Sequence, residues 1–200
     1  MRSWAMRLLL AVLAGCVSPG EREAAQYYVL QAGGEAPKAQ ATRQATLLVA
    51  PTGAADFYDS AQLVFSREPG TRGYYQLNRW TERPSRRIHA LLVERLTASG
   101  AFRTVAGTAS GVHGDLVLGT QIEELYHQAA DRPGSVRITL TATLSDPARR
   151  ALLSRRTFTR TAPAVSYDAK GAVAAFNQAL GELLNDVVAW VDATAPRGKL

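Results

Sequence analysis

Residues 136–144 read Val-Arg-Ile-Thr-Leu-Thr-Ala-Thr-Leu, VRITLTATL, an unbroken alternation of apolar and polar residues. Successive side chains of an extended strand point to opposite faces. Val136, Ile138, Leu140, Ala142 and Leu144 therefore share one face, and Arg137, Thr139, Thr141 and Thr143 share the other. This pattern predicts one buried and one solvated face, the arrangement of an antiparallel sheet. Turn residues bracket the run, with Asp131-Arg132-Pro133-Gly134 before it and Asp146-Pro147-Ala148-Arg149 after it. The neighbouring runs, Gly114 to His127 and Ala151 to Arg160, then make it the middle of three antiparallel strands.

Working outward, Asp168 to about Ala193 returns to the helical period. Val173, Phe176, Leu180, Leu183, Leu184, Val187, Val188 and Val191 form a stripe too wide to leave in water, so this helix must lie on the sheet. On the other side, Phe102 to Val105 is a short strand. Before it, Ile88, Leu91, Leu92, Arg95 and Leu96 line one face of a helix opened by Pro84 and stopped at Gly100. QLVFSR (62–67) and GYYQLN (73–78), separated by a Pro-Gly, predict a hairpin. ATLLVA (45–50), ended by Pro51, is continuously apolar, as in a strand buried on both faces. YYVL (27–30) is a first strand, and residues 31–44, rich in Gly, Ala and Gln, read as a flexible loop with nothing to bury. The expected fold is an α+β or α/β sandwich, a mostly antiparallel sheet with two helices packed on one face. A single domain would span 27–195, with 196–200 a frayed tail.

The chain of 200 residues contains one cysteine, Cys16, which excludes an internal disulfide and a multi-cysteine zinc site. Arg2 and Arg7 precede an apolar block from Leu8 to Ala14, the order of a secretory signal peptide; the block is far below the roughly 20 residues that cross a bilayer. Leu13-Ala14-Gly15-Cys16 resembles the lipobox of bacterial lipoproteins. That resemblance implies a signal peptide at 1–15, cleavage before Cys16, and a diacylglycerol and an N-acyl chain such as palmitate on Cys16. Each buried methylene adds about 0.8 kcal/mol of membrane affinity, so several chains anchor stably. VSPGEREAAQ (17–26) would be the tether behind the lipid. Val17, where an aspartate would favour the inner membrane, points to the outer membrane and its periplasmic face.

The formal net charge of +6 includes the two leader arginines. The remaining basic clusters, Arg83, Arg86 and Arg87 and then Arg149, Arg150, Arg155 and Arg156, suit lipid headgroups or an acidic protein better than nucleic acid, which an exported chain seldom meets. A merely solvated face is equally consistent with them.

Catalytic patterns are missing. His89, His113 and His127 form no metal-binding pair, and Glu123-Glu124 would point to opposite faces of a strand. No nucleophile elbow, phosphate loop or dinucleotide fingerprint occurs. The chain is therefore read as no enzyme, with no catalytic residue, metal or further cofactor. Phe57, Tyr58, Phe65, Tyr74, Tyr75 and Trp80 crowd one region, where cross-strand and core pairing is the plain explanation. The functional alternative is a docking rim of Tyr74, Tyr75, Arg79, Trp80 and Arg83, since Tyr, Trp and Arg dominate interface hot spots.

The lipobox, YYVL, LLVAP ahead of DFYDSAQLVFSRE, then YYQLNRWTERPSRRIHALLVERLTASGAF, and the closing helix AVAAFNQALGELLNDVVAWV together resemble the ABC-type transport auxiliary lipoprotein family, the paraquat-inducible protein C type. The stretch PTGAADFYDSAQLVFS departs from the family in being longer and in lacking an arginine after the aspartate. The resemblance implies a non-catalytic subunit working with an MCE-domain protein, a permease and its ATPase to move lipids or other apolar molecules between inner and outer membranes. Self-association is left open. The alternatives are an outer-membrane assembly or structural lipoprotein and a periplasmic lipid carrier, which would need an apolar cavity.

Overall fold

The computed structural model describes residues 24–197; the leader, Cys16 and most of the tether lie outside the described residues. The strands are β1 (Gln26–Tyr28), β2 (Arg43–Val49), β3 (Gly53–Ala54), β4 (Gln62–Ser66), β5 (Gly73–Trp80), β6 (Phe102–Gly107), β7 (Leu116–Gln128), β8 (Ser135–Asp146) and β9 (Ala151–Pro163). Helix α1 (Pro84–Ser99) sits between β5 and β6, and α2 (Ala169–Thr194) closes the chain. All nine strands join one sheet, curled into a half-barrel.

The sheet is mixed, which corrects the expectation of a mostly antiparallel one. β7–β8, β8–β9 and β4–β5 are antiparallel, but β7 pairs in parallel with β2, β3 and β4 in succession along its other side. β2 is also parallel to β6, and β1 to β5. The physical reason lies in residues 45–50. A strand with parallel neighbours is covered on both faces and reads as a continuous apolar run, and Leu47 and Val49 on one face of β2 and Thr46 and Leu48 on the other are all buried. The alternation of β8 describes only its own side of the sheet.

On that side the register follows the pattern. Val136, Ile138, Leu140, Ala142 and Leu144 are fully buried beneath α2, which lies over β8 and β9. The opposite face is less solvated than alternation predicts, because Thr139 and Thr141 are also buried. Thr139 Oγ1 donates to Glu124 Oε2 at 2.9 Å and lies 3.2 Å from Thr159 Oγ1, while Thr141 and Thr157 hydroxyls are 3.0 Å apart. Cross-strand hydroxyl pairs of this kind satisfy the polar groups that the strands cover.

Helix α1 starts where Pro84 loses no hydrogen bond and ends at Gly100, whose positive φ of 70° lets its N–H reach Thr97 O. It covers β2 and β6 and touches α2. Its stripe contains Arg95, and that charge organises the chain after β1. The guanidinium donates to the carbonyls of Ala32, Gly33 and Gly34 at 2.9, 2.7 and 3.0 Å, and to Asn185 Oδ1 of α2. Burial draws the Arg95 pKa below the usual arginine value, with the Glu94 charge opposing. Gly33 N–H donates to Asn177 O, and a Cβ at Gly181 would meet Gly33 O at 2.1 Å. Residues 31–35 are thus a strap pinned across both helices, not the flexible loop their composition suggests; carbonyls, not side chains, hold it.

Helix α2 begins at Asp168, whose carboxylate accepts the Gly171 N–H at 2.7 Å, an N-cap that replaces one missing helical bond. Every residue of the predicted stripe is buried, and Trp190 joins it.

Candidate docking surface

Strand β5 carries most of the candidate residues, and its geometry separates them. Trp80 is buried and meets Phe176 edge-on at 5.6 Å. Tyr75 also turns inward, its hydroxyl 2.7 Å from Nδ1 of the fully buried His127. His127 Nε2 lies 3.3 Å from Pro133 O, which accepts and never donates. Nε2 therefore carries the proton, and Nδ1 accepts from the tyrosine hydroxyl. Burial lowers the His127 pKa, against the opposing Pro133 hydrogen bond and Asp168 charge. Burial, with smaller contributions from Tyr167 and Asp168 and against Arg67, pushes Tyr75 up to about 12.

Five positions apart on a regular strand, Tyr75 and Trp80 would face opposite ways. Both face the helices because the β4–β5 register slips between the Gln62–Arg79 and Val64–Tyr74 pairs. A strand irregularity of this kind re-aims the side chains beyond it. The neighbours of the two inward rings, Tyr74 and Arg79, consequently turn to the sheet's open side.

There Tyr74 stacks on Phe57, with centroids 4.4 Å apart and planes at 8°, and its hydroxyl donates to Phe57 O at 3.1 Å. Arg79 stands in register between Gln62 on β4 and Tyr27 on β1, the latter 64% exposed. Arg83 precedes α1 and reaches Asp59 Oδ2 at 3.2 Å; Asp59 Oδ1 accepts the Ser85 hydroxyl at 2.6 Å. Arg83 is thus exposed and Tyr74 and Arg79 are half-buried on the open side, while Tyr75, also half-buried, and the buried Trp80 turn to the helix side. Cys16 lies outside the described residues.

Sequence reasoning missed an adjoining network. Arg72 donates to the Tyr58 hydroxyl at 2.9 Å, lies 3.7 Å from the Tyr126 ring centre and is 3.6 Å from Glu124 Oε1. Glu124 Oε2 accepts from Arg137 Nε at 2.7 Å. Burial pushes the Glu124 pKa up, but the hydrogen bonds from Arg137 and Thr139 and the charges of Arg137 and Arg72 outweigh it, so it stays below the usual range. A bulge causes the convergence: Ile122 pairs Leu140 while Glu124 pairs Thr139, leaving Glu123 as the extra residue. The Glu123-Glu124 doublet, a break in an otherwise alternating strand, was the available signal.

Two further polar residues, His89 and Asp115, have structural work. His89 Nδ1 donates to Ala50 O at 3.0 Å, and Asp115 Oδ2 accepts the Thr46 N–H at 2.7 Å. Among the described residues no three His, Cys, Asp or Glu side chains come together, and no helix is long and apolar enough to cross a membrane.

One family model and several solved structures match the chain. The model of the ABC-type transport auxiliary lipoprotein component matches residues 28–188. A crystal structure from Xanthomonas campestris, of the DUF330 family, is similar with 25% identity and a TM-score of 0.75, covering 84% of this chain and 96% of that one. An uncharacterized protein of known structure shares the fold at 14% identity and a TM-score of 0.68, covering 84% and 99%. So does a hypothetical protein from Chlamydia trachomatis, at 10% identity and a TM-score of 0.52, covering 76% and 98%. No curated protein matches the chain.

Proposed function

The chain belongs to the family of ABC-type transport auxiliary lipoprotein components, and on that premise we propose that it is a lipid-anchored, non-catalytic docking subunit of such a transporter. The carrying observation is the match over residues 28–188, nearly the whole described fold. Cys16 would bear the diacylglycerol and N-acyl chains and hold the domain at the periplasmic face of the outer membrane. The partner would be an MCE-domain protein served by a permease and an ATPase, and the cargo lipids or other apolar molecules. Tethering suits this task because confinement to a membrane surface raises the effective concentration of a partner reaching across from the other membrane.

The open side of β5 supports the docking role. Phe57 and Tyr74 are already stacked and Arg83 is already held by Asp59, so a partner meeting them orders few side chains anew. Tyr74, Arg79 and Arg83 are the proposed contacts.

The reading is tested by comparing the chain with Cys16→Ser in membrane fractions and in co-purification. The native chain should fractionate with outer membrane, yield an N-terminal peptide beginning at acylated Cys16, and bring down an MCE-domain protein. A soluble native chain, or one that retrieves only an outer-membrane assembly complex, would remove the proposal.

A further inference from the structure

Strand β9 runs thirteen residues, from Ala151 to Pro163, and among the described residues it pairs only with β8. Its outer edge offers a row of unpaired backbone N–H and C=O groups, a template for another strand. Between this edge and α2 lies a groove of about 400 Å³. Its floor is the edge-on pair of Phe158 and Trp190, with centroids 5.8 Å apart. Arg156 lies over the Phe158 ring at 5.1 Å, and Arg160 is ion-paired to Asp186 of α2.

We propose that the outer edge of β9 binds an extended acidic segment of a partner protein by strand addition. The charge of the edge selects the occupant. Arg155 and Arg156 are exposed and have no carboxylate partner among the described residues, and Arg150 stands at the turn that opens the strand, beside Arg149, which is ion-paired to Asp146. A strand laid on this edge alternates its side chains between two faces. Those on the helix side would pass an apolar residue over Phe158 and Trp190 and a carboxylate beside Arg156. Those on the far side would bring a carboxylate beside Arg155 and hydroxyl partners to Thr157 and Thr159. A second copy of this chain is disfavoured, because antiparallel β9 strands would gather both sets of arginines along one seam. The site lies apart from the Tyr74 surface and does not depend on that docking role.

The test titrates the purified full chain in detergent with a fluorescein-labelled peptide alternating glutamate and valine, against controls with glutamine or lysine in place of glutamate. The glutamate peptide should bind, slow hydrogen exchange across Ala151–Pro163, and lose about tenfold in affinity in R155E/R156E with an unchanged thermal midpoint. Its affinity for the unmutated chain should also fall with added salt, a readout that stands if the double variant does not fold. Equal binding of the three peptides, salt-independent binding, protection confined to other strands, or self-association through β9 that excludes the peptide would each overturn the proposal.

Discussion

Trp80 of β5 meets Phe176 of α2 with ring centroids 5.6 Å apart and planes at 73°. The contact joins the hairpin of the candidate surface to the helix at the far end of the sequence. Edge-to-face aromatic pairs add about 0.5–1.5 kcal/mol beyond their buried area. A residue that composition offers as a docking anchor is therefore a core pin.

Trp80→Ala should lower unfolding free energy by about 3–5 kcal/mol, measured by urea denaturation. Trp80→Phe should retain most of the stability and all partner capture. Loss of capture by Trp80→Phe at unchanged stability would return Trp80 to the surface.

Arg95→Met should keep the apolar stem but leave the strap carbonyls without their donor, at about 1.5–3 kcal/mol for the charged hydrogen bonds. Hydrogen exchange should rise first at Ala32 to Glu35. Uniform acceleration over the whole chain would show that the strap is not pinned locally.

His127 supplies a pH dependence. Its folded pKa lies below the ordinary value near 6.5, so the unfolded chain takes up the proton first. This contribution is fully present above that value and is lost as pH falls through it toward the folded pKa. Thermal midpoints taken between pH 8 and pH 5, values of about the ordinary histidine range, should drop on the acid side in the unmutated chain and drop less in His127→Gln. Tyr75 acts at the other end: with its pKa pushed up to about 12, its contribution is lost as pH rises above the ordinary tyrosine value.

Asp168→Ala removes the cap on Gly171 N–H and should cost about 0.5–2 kcal/mol, with Asp168→Asn or Asp168→Ser recovering most of it. The native carboxylate is held below its usual pKa, chiefly by the Gly171 N–H and the Ser166 hydroxyl. Its stabilising effect is present above the ordinary aspartate value and fades as pH falls through the folded pKa. Equal acid sensitivity in Asp168→Ser would contradict that assignment.

The elements with strong periodicity were legible in sequence. The stripe from Val173 to Val191 and the alternation of residues 136–144 each bury a continuous apolar face, so pattern and packing coincide. Strand direction was less legible, because parallel pairing depends on which distant strand arrives at β7. The apolar run ATLLVA carried that information, whereas the alternation of β8 reports only its antiparallel neighbours. The surface was harder still. Two register breaks, one in the β4–β5 pair and one at Glu123, decide that Tyr75 and Trp80 go inside and that Glu124 meets Arg72 and Arg137. A strict period of two has no place for an extra residue. The strap at 31–35 has Ala32 as its one apolar side chain, so its backbone hydrogen bonds to Arg95 left no mark in composition.

The most direct measurement is photo-crosslinking in intact cells from a benzophenone amino acid placed at Arg79, with a matched probe at Glu182 on α2, followed by mass spectrometry of the captured protein. The account predicts that the Arg79 probe captures an MCE-domain component of an ABC-type transporter, that the Glu182 probe does not, and that Tyr74→Ala with Arg83→Glu, which also lowers the thermal midpoint by removing the Phe57 stack and the Asp59 ion pair, diminishes the capture while the chain remains folded. Capture of only outer-membrane assembly proteins from Arg79, or equal capture from both positions, would contradict it.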